Sequence, residues 1–102
     1  MLAKMNNWHG WVKETRADVL YSKYKEILTE CGFCIKGECT YIFTPQGFTA
    51  LFLLSESHFA IHTFPEENKT YLELSSCVDK PFERWLEYVE QEETQDGIDE
   101  RR

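Results

Sequence analysis

FTALFLLSESHFAIHT, residues 48–63, decides the fold. Two runs rich in β-branched and aromatic residues, Phe48 to Ser55 and His58 to Thr63, are separated by Glu56 and Ser57 alone. So short a link between strands favours an antiparallel hairpin. Outward from it, Glu38 to Thr44 precedes across Pro45-Gln46-Gly47, and Thr70 to Cys77 follows across Pro65 to Lys69. Both read as further antiparallel strands joined by short turns. Trp8 to Val12 is a candidate edge strand. Between it and the hairpins, Leu20, Tyr24, Ile27, Leu28 and Cys31 recur at helical spacing. Thr15 can cap that helix, Asp18 suits its positive first turn and Gly32 stops it, which predicts a helix over 16–31. A second helix opens at Asp79-Lys80-Pro81 and buries Phe82, Trp85, Leu86 and Val89. Residues 90–102 are nearly all charged or polar, and read as a frayed helix end and an acidic, disordered tail. The expected fold is α+β, an antiparallel sheet of four to five strands with two helices packed on one face.

With 102 residues, 42% of them apolar and 15% aromatic, the chain can close one modest core and one domain. A chain this short gains from a subunit partner, so an oligomer is expected. The net charge of -7 and the scattered basic residues exclude a nucleic-acid partner. No segment approaches the roughly 20 consecutive apolar residues of a membrane span, and the first residues lack a signal-peptide core, so a cytoplasmic protein is expected. Its four cysteines are then reduced. Cys31-x2-Cys34 followed by Cys39 invites a zinc reading, completed only by His9 or Cys77. Ordinary thiols at a helix end and a strand start are the expectation, with no metal.

Chemistry concentrates between Ser55 and Glu66, where hydroxyls, imidazoles and carboxylates sit between two apolar strands. Alternation puts His58, Ala60, His62 and Phe64 on one face, and Phe59, Ile61 and Thr63 on the other. Ser57 with His62 suggests a hydroxyl nucleophile and a base, with Cys77 or Glu73 as a third member. Taken singly, such a histidine is more often a satisfied structural residue, and Glu66 a solvated loop carboxylate.

Three motifs stand together in order: Phe43-Thr44-Pro45-Gln46-Gly47, Glu56-Ser57-His58, and Ile61-His62-Thr63-Phe64-Pro65-Glu66. With the gap-free spacing from Ser57 to His62 and on to Cys77, this set resembles the signature of the pyruvoyl-dependent S-adenosylmethionine decarboxylase proenzymes of the short bacterial and archaeal class. The resemblance implies that Ser57 attacks the preceding carbonyl, turns amide into ester, and leaves by β-elimination to become a pyruvoyl group, splitting the chain into residues 1–56 and 57–102. It implies that His62 assists processing, that Thr49 stands where the family usually has a helping serine hydroxyl, and that Cys77 returns a proton to the product carbon. Phe43 and Phe64 match the aromatic pair that sandwiches adenine, and Glu66 the carboxylate that holds the ribose hydroxyls. The implied reaction forms a Schiff base with S-adenosylmethionine and yields its decarboxylated product for polyamine (spermidine) biosynthesis. The expected assembly is a homodimer of processed protomers. On these roles, Cys77→Ala is expected to depress turnover and leave splitting largely in place.

The pattern departs from the family in three places. Trp8-His9-Gly10-Trp11 stands where the family has a Gly-x-His entry to its first strand, Val78 replaces the glycine after the cysteine, and the usual last strand is expected to be missing. Two other readings fit the same residues. One is a pyruvoyl-dependent arginine or ornithine decarboxylase, for which the nucleoside clamp of Phe43, Phe64 and Glu66 would be superfluous. The other is a non-processing homologue that binds nucleosides or regulates a partner, which predicts a single uncut polypeptide.

Overall fold

Strands that alternate apolar and polar side chains own one face that must be covered, and here two amphipathic helices cover it. The computed structural model describes residues 4–95 and 99–101. Its elements run β1 (Asn6–Val12), α1 (Ala17–Cys31), β2 (Gly37–Ile42), β3 (Phe48–Leu53), β4 (Ser57–Phe64), β5 (Lys69–Ser76), α2 (Asp79–Gln95) and β6 (Asp99–Arg101). The strands form one sheet in the order β2-β3-β4-β5-β1-β6, and every neighbouring pair is antiparallel. Because β1 lies beside β5, α1 must carry the chain across the sheet to reach β2. The β2 to β5 meander then follows by short turns.

The covered face supplies Trp8 and Val12 from β1, Ala50 and Phe52 from β3, Phe59 and Ile61 from β4, and Leu72 and Leu74 from β5. Against them pack Leu20, Tyr24, Leu28 and Cys31 of α1 and Phe82, Trp85 and Val89 of α2. Trp85 is the hub, with ring centroids 5.1 Å from Trp8, 5.2 Å from Phe59 and 5.4 Å from Tyr88. Alternation within β4 follows expectation: Phe59, Ile61 and Thr63 are buried on the helix side, and His58, His62 and Phe64 lie on the other. No described helix covers that other face, where Tyr41, Leu51, Leu53 and Phe64 are exposed.

The expected fold class is borne out, with corrections of detail. The sheet has six strands, since β6 pairs with β1, so a last strand is present and β1 is flanked on both sides. Of residues 90–102, expected as a frayed helix end and a disordered tail, the stretch to Gln95 is helical and 99–101 form β6, while 96–98 and 102 lie outside the described residues. Periodicity could not find β6, because an edge strand is held by backbone pairing whatever its side chains. Thr15 does not cap α1. Arg16 occupies the cap position without a side-chain bond, and the Glu14 carboxylate instead accepts from the Thr15 and Arg16 amides at 3.0 and 2.9 Å. Bonds from Arg16 hold that carboxyl down to about 2. At the other end Gly32 takes φ 106, and its amide and that of Phe33 close the helix on Thr29 and Leu28 as expected.

Candidate active site

Glu56 and Ser57 sit at the β3–β4 hairpin, closed by the Leu54 amide donating to the Ser57 carbonyl at 2.8 Å. Ser55 enters the loop at φ 67, a left-handed conformation that primed hairpin turns require and that costs a non-glycine residue about 1 kcal/mol. Register then decides what surrounds Ser57. It pairs with Ser76, the last residue of β5, which brings Cys77 beside the hairpin.

Ser57 is 3% exposed and Ser76 0%. The Ser57 hydroxyl donates to Ser76 Oγ at 2.9 Å. Ser76 Oγ is itself held by the turn that follows, accepting from the Val78 amide at 3.1 Å and donating to the Val78 carbonyl at 3.2 Å. The next side chain reaches the other half of the same peptide unit: Cys77 Sγ donates to the Glu56 carbonyl oxygen at 3.2 Å and lies 3.5 Å from its carboxylate. Partial burial, and then the bond and charge of Glu56, push the Cys77 thiol up. It is therefore kept protonated, as a donor must be. Ser76 escaped the sequence reading; its only signal was a serine pair ending a strand just before Cys77, and its meeting with Ser57 needs the β4–β5 register.

A second cluster lies at the far end of the hairpin and on the open face. Thr49 and His62 are cross-strand partners, with Oγ1 and Nδ1 3.1 Å apart. Tyr71 stacks beside His62 with centroids 6.2 Å apart, and donates to Glu73 at 2.8 Å. Burial first, then Glu73, pushes the Tyr71 hydroxyl up to about 12. Phe64 stands 5.9 Å from Trp11, Phe43 packs edge-on to Tyr41 at 4.8 Å, and Glu66 is exposed on the 3-10 turn Pro65–Glu67. Ser57 and His62 are not brought together within one chain. They are five residues apart on β4, about 17 Å along the strand, and point to opposite faces.

A shallow, mostly apolar depression of 370 Å³, bounded by Cys39, Leu51, Leu53 and His58, opens on the uncovered face at the Ser57 end of the sheet. A larger one of 440 Å³ lies between the end of β1 and α1, at the opposite end of β5, away from this chemistry. All four cysteines are free, Cys31 being buried and Cys34 and Cys39 exposed. Among the described residues no three His, Cys, Asp or Glu side chains gather to hold a metal, and no helix is long and apolar enough to cross a membrane.

Fold and site together define a class: a two-layer α+β domain that holds a buried serine hydroxyl on one side of a hairpin peptide bond and a thiol against its carbonyl oxygen. The chain belongs to the S-adenosylmethionine decarboxylase family, whose model matches residues 13–96. It is 42% identical over 52 residues to an S-adenosylmethionine decarboxylase proenzyme of Symbiobacterium thermophilum, covering 51% of this chain and 39% of that protein. With the proenzyme of Archaeoglobus fulgidus it shares 31% identity over 77 residues, 71% of this chain and 69% of the other. The chain thus spans well under half the length of the first of these relatives and about two thirds of the second. Its fold matches the crystal structure of the adenosylmethionine decarboxylase from Aquifex aeolicus with a TM-score of 0.75, at 20% identity, over 99% of this chain and 89% of that one. The resemblance read from the three motifs is borne out at the level of family and fold.

Proposed function

We propose that this chain is a self-processing proenzyme that cuts itself between Glu56 and Ser57 and then decarboxylates S-adenosylmethionine, supplying a polyamine pathway. The observation that carries the reading is the contact set at one peptide bond, with a buried hydroxyl on its nitrogen side and a protonated thiol on its carbonyl oxygen. Attack of Ser57 Oγ on the Glu56 carbonyl carbon forms a C–O bond as the C–N bond breaks, and the hydroxyl proton ends on the freed nitrogen. Negative charge that develops on the carbonyl oxygen meets the Cys77 S–H, a donor already aimed at it. Loss of the Ser57 Cα proton then expels Oγ as part of the Glu56 carboxylate and leaves an enamine that shifts to an imine, and water replaces its nitrogen, which departs as ammonia, to leave a pyruvoyl carbonyl at position 57. That carbonyl supplies an electron sink for the carbanion left by carbon dioxide, which no side chain offers.

The donor set fits this group, because Cys77 stays beside position 57 with its proton in place for the product carbon. His62 and Thr49 assist processing, and Phe43, Phe64 and Glu66 take the nucleoside. The distance between these residues and Ser57 along β4 supports a homodimer, in which a second copy laid on the open sheet face brings its His62 end to the first copy's hairpin. Four free thiols suit a reducing cytoplasm.

Denaturing mass spectrometry of the purified protein tests the reading. Two fragments splitting before residue 57 are expected, with a hydrazine-reactive carbonyl at the new end of the shorter one. A chain that stays intact through long incubation overturns it. Carbon dioxide release from S-adenosylmethionine should exceed that from arginine or ornithine, and the reverse order would assign the substrate to the latter.

The thiol's contact with the Glu56 carbonyl changes the expectation for Cys77→Ala. The variant should lose about 100-fold or more in turnover and should also split measurably more slowly, since it removes a donor from the carbonyl under attack. Splitting at the unaltered rate would confine Cys77 to the decarboxylation step.

A further inference from the structure

We propose that Ser76 is the positioning residue for self-cleavage, aiming the Ser57 hydroxyl at the Glu56 carbonyl and then donating to the same oxygen as it departs in the Glu56 carboxylate. The inference rests on the self-processing reading above and goes beyond it, because it assigns a role to a side chain outside the motifs that identify the family.

A serine hydroxyl has one proton and two lone pairs. With its proton engaged by Ser76 Oγ at 2.9 Å, Ser57 is confined to one rotamer and its lone pairs remain free to attack. Both hydroxyls are buried, at 3% and 0% exposure, so bulk water does not compete for that proton. Ser76 is a firm anchor because the Val78 amide donates to its oxygen. The turn from Ser76 to Val78 therefore grips both halves of the scissile unit, with Ser76 on the nucleophile and the adjacent Cys77 on the carbonyl oxygen. Any slip of that turn would misplace both at once. Errors near 1 Å in such arrangements cost about 100-fold in rate.

The second half of the role follows from atom balance. Elimination breaks the Ser57 Cβ–Oγ bond, and its electron pair stays on Oγ, now a carboxylate oxygen of Glu56. The Ser76 proton, held only by a 3.2 Å bond to the Val78 carbonyl, can turn to that oxygen. A charge-assisted bond is the stronger of the two, so the hydroxyl reverses from acceptor to donor as the ester breaks.

The test follows freshly translated chains by denaturing mass spectrometry, with and without hydroxylamine, which cleaves an ester at Glu56–Ser57 but leaves the amide. Ser76→Ala should split about 10- to 100-fold more slowly than wild type and should accumulate a larger hydroxylamine-sensitive fraction. Loss of a merely structural serine would slow splitting without enriching that ester. Ser76→Thr, which keeps the hydroxyl, should restore most of the rate. If Ser76→Ala melts at the temperature of synthesis, Ser76→Cys, of similar volume and far weaker hydrogen bonding, replaces it with the same expectation. Splitting at the wild-type rate in the folded Ala or Cys variant overturns the inference and leaves the processing reading standing. A wild-type chain that never splits overturns both.

Discussion

Ser57→Ala should remain a single 102-residue chain under conditions in which the wild-type protein has become two fragments, and it should release no carbon dioxide from S-adenosylmethionine. The expectation is all-or-none, because the substitution removes the only atom that can form the ester. Cys77 contacts the Glu56 carbonyl through its oxygen, so the thiol is placed to stabilise charge there and cannot substitute as the nucleophile in the same pose. The fold should survive. Ser76 keeps both of its bonds to Val78 when Ser57 Oγ is gone, so the loss is one buried hydrogen bond, about 1 kcal/mol. Intact mass together with an unchanged circular dichroism spectrum checks the result. Fragments breaking before residue 57 in Ser57→Ala would mean that a contaminating protease, and not the chain's own hydroxyl, makes the cut.

Trp85→Ala should destabilise the domain by about 3–5 kcal/mol. The indole is fully buried and lies at the centre of the aromatic core, between Trp8, Phe59, Tyr24 and Tyr88. It joins α2 to the sheet and to α1, so the void left by alanine would open where all three meet. A small domain is stable by only about 5–15 kcal/mol, and the variant should therefore unfold at a much lower urea concentration. Trp85→Phe should cost far less, since it keeps an aromatic ring and removes an indole Nε1 that has no hydrogen-bond partner. The measurement belongs in the Ser57→Ala background, where the protein is one chain and unfolding can be treated as a single transition. A loss below about 1 kcal/mol for Trp85→Ala, the ordinary cost of a point substitution, would show that α2 packs without this ring as its anchor.

The most informative disagreement between sequence and structure concerns Ser57 and His62. Five residues apart on one strand, they invite pairing as nucleophile and base, yet an odd separation in a strand sends two side chains to opposite faces. The same alternation, correctly read for His58 to Phe64, already contained that conclusion. Cys77, twenty positions from Ser57, is by contrast in contact with the carbonyl of the Glu56–Ser57 peptide.

What residues 4–95 determine by themselves is whatever depends on local period and local sterics. The hairpin strands, the stripes Leu20-Tyr24-Leu28 and Phe82-Trp85-Val89, and the left-handed stop at Gly32 follow from side-chain spacing and backbone preference alone, and the family signature is equally a matter of order and spacing. Tertiary structure decided what depends on partners distant in the chain. The strand β6 exists through backbone pairing to β1, α1 is entered through the carboxylate of Glu14, and Ser76 meets Ser57 because β4 and β5 pair in one register. Hydrogen bonds between strands carry no imprint on either strand's own sequence, so the contacts around the Glu56–Ser57 peptide became visible only once the sheet was assembled.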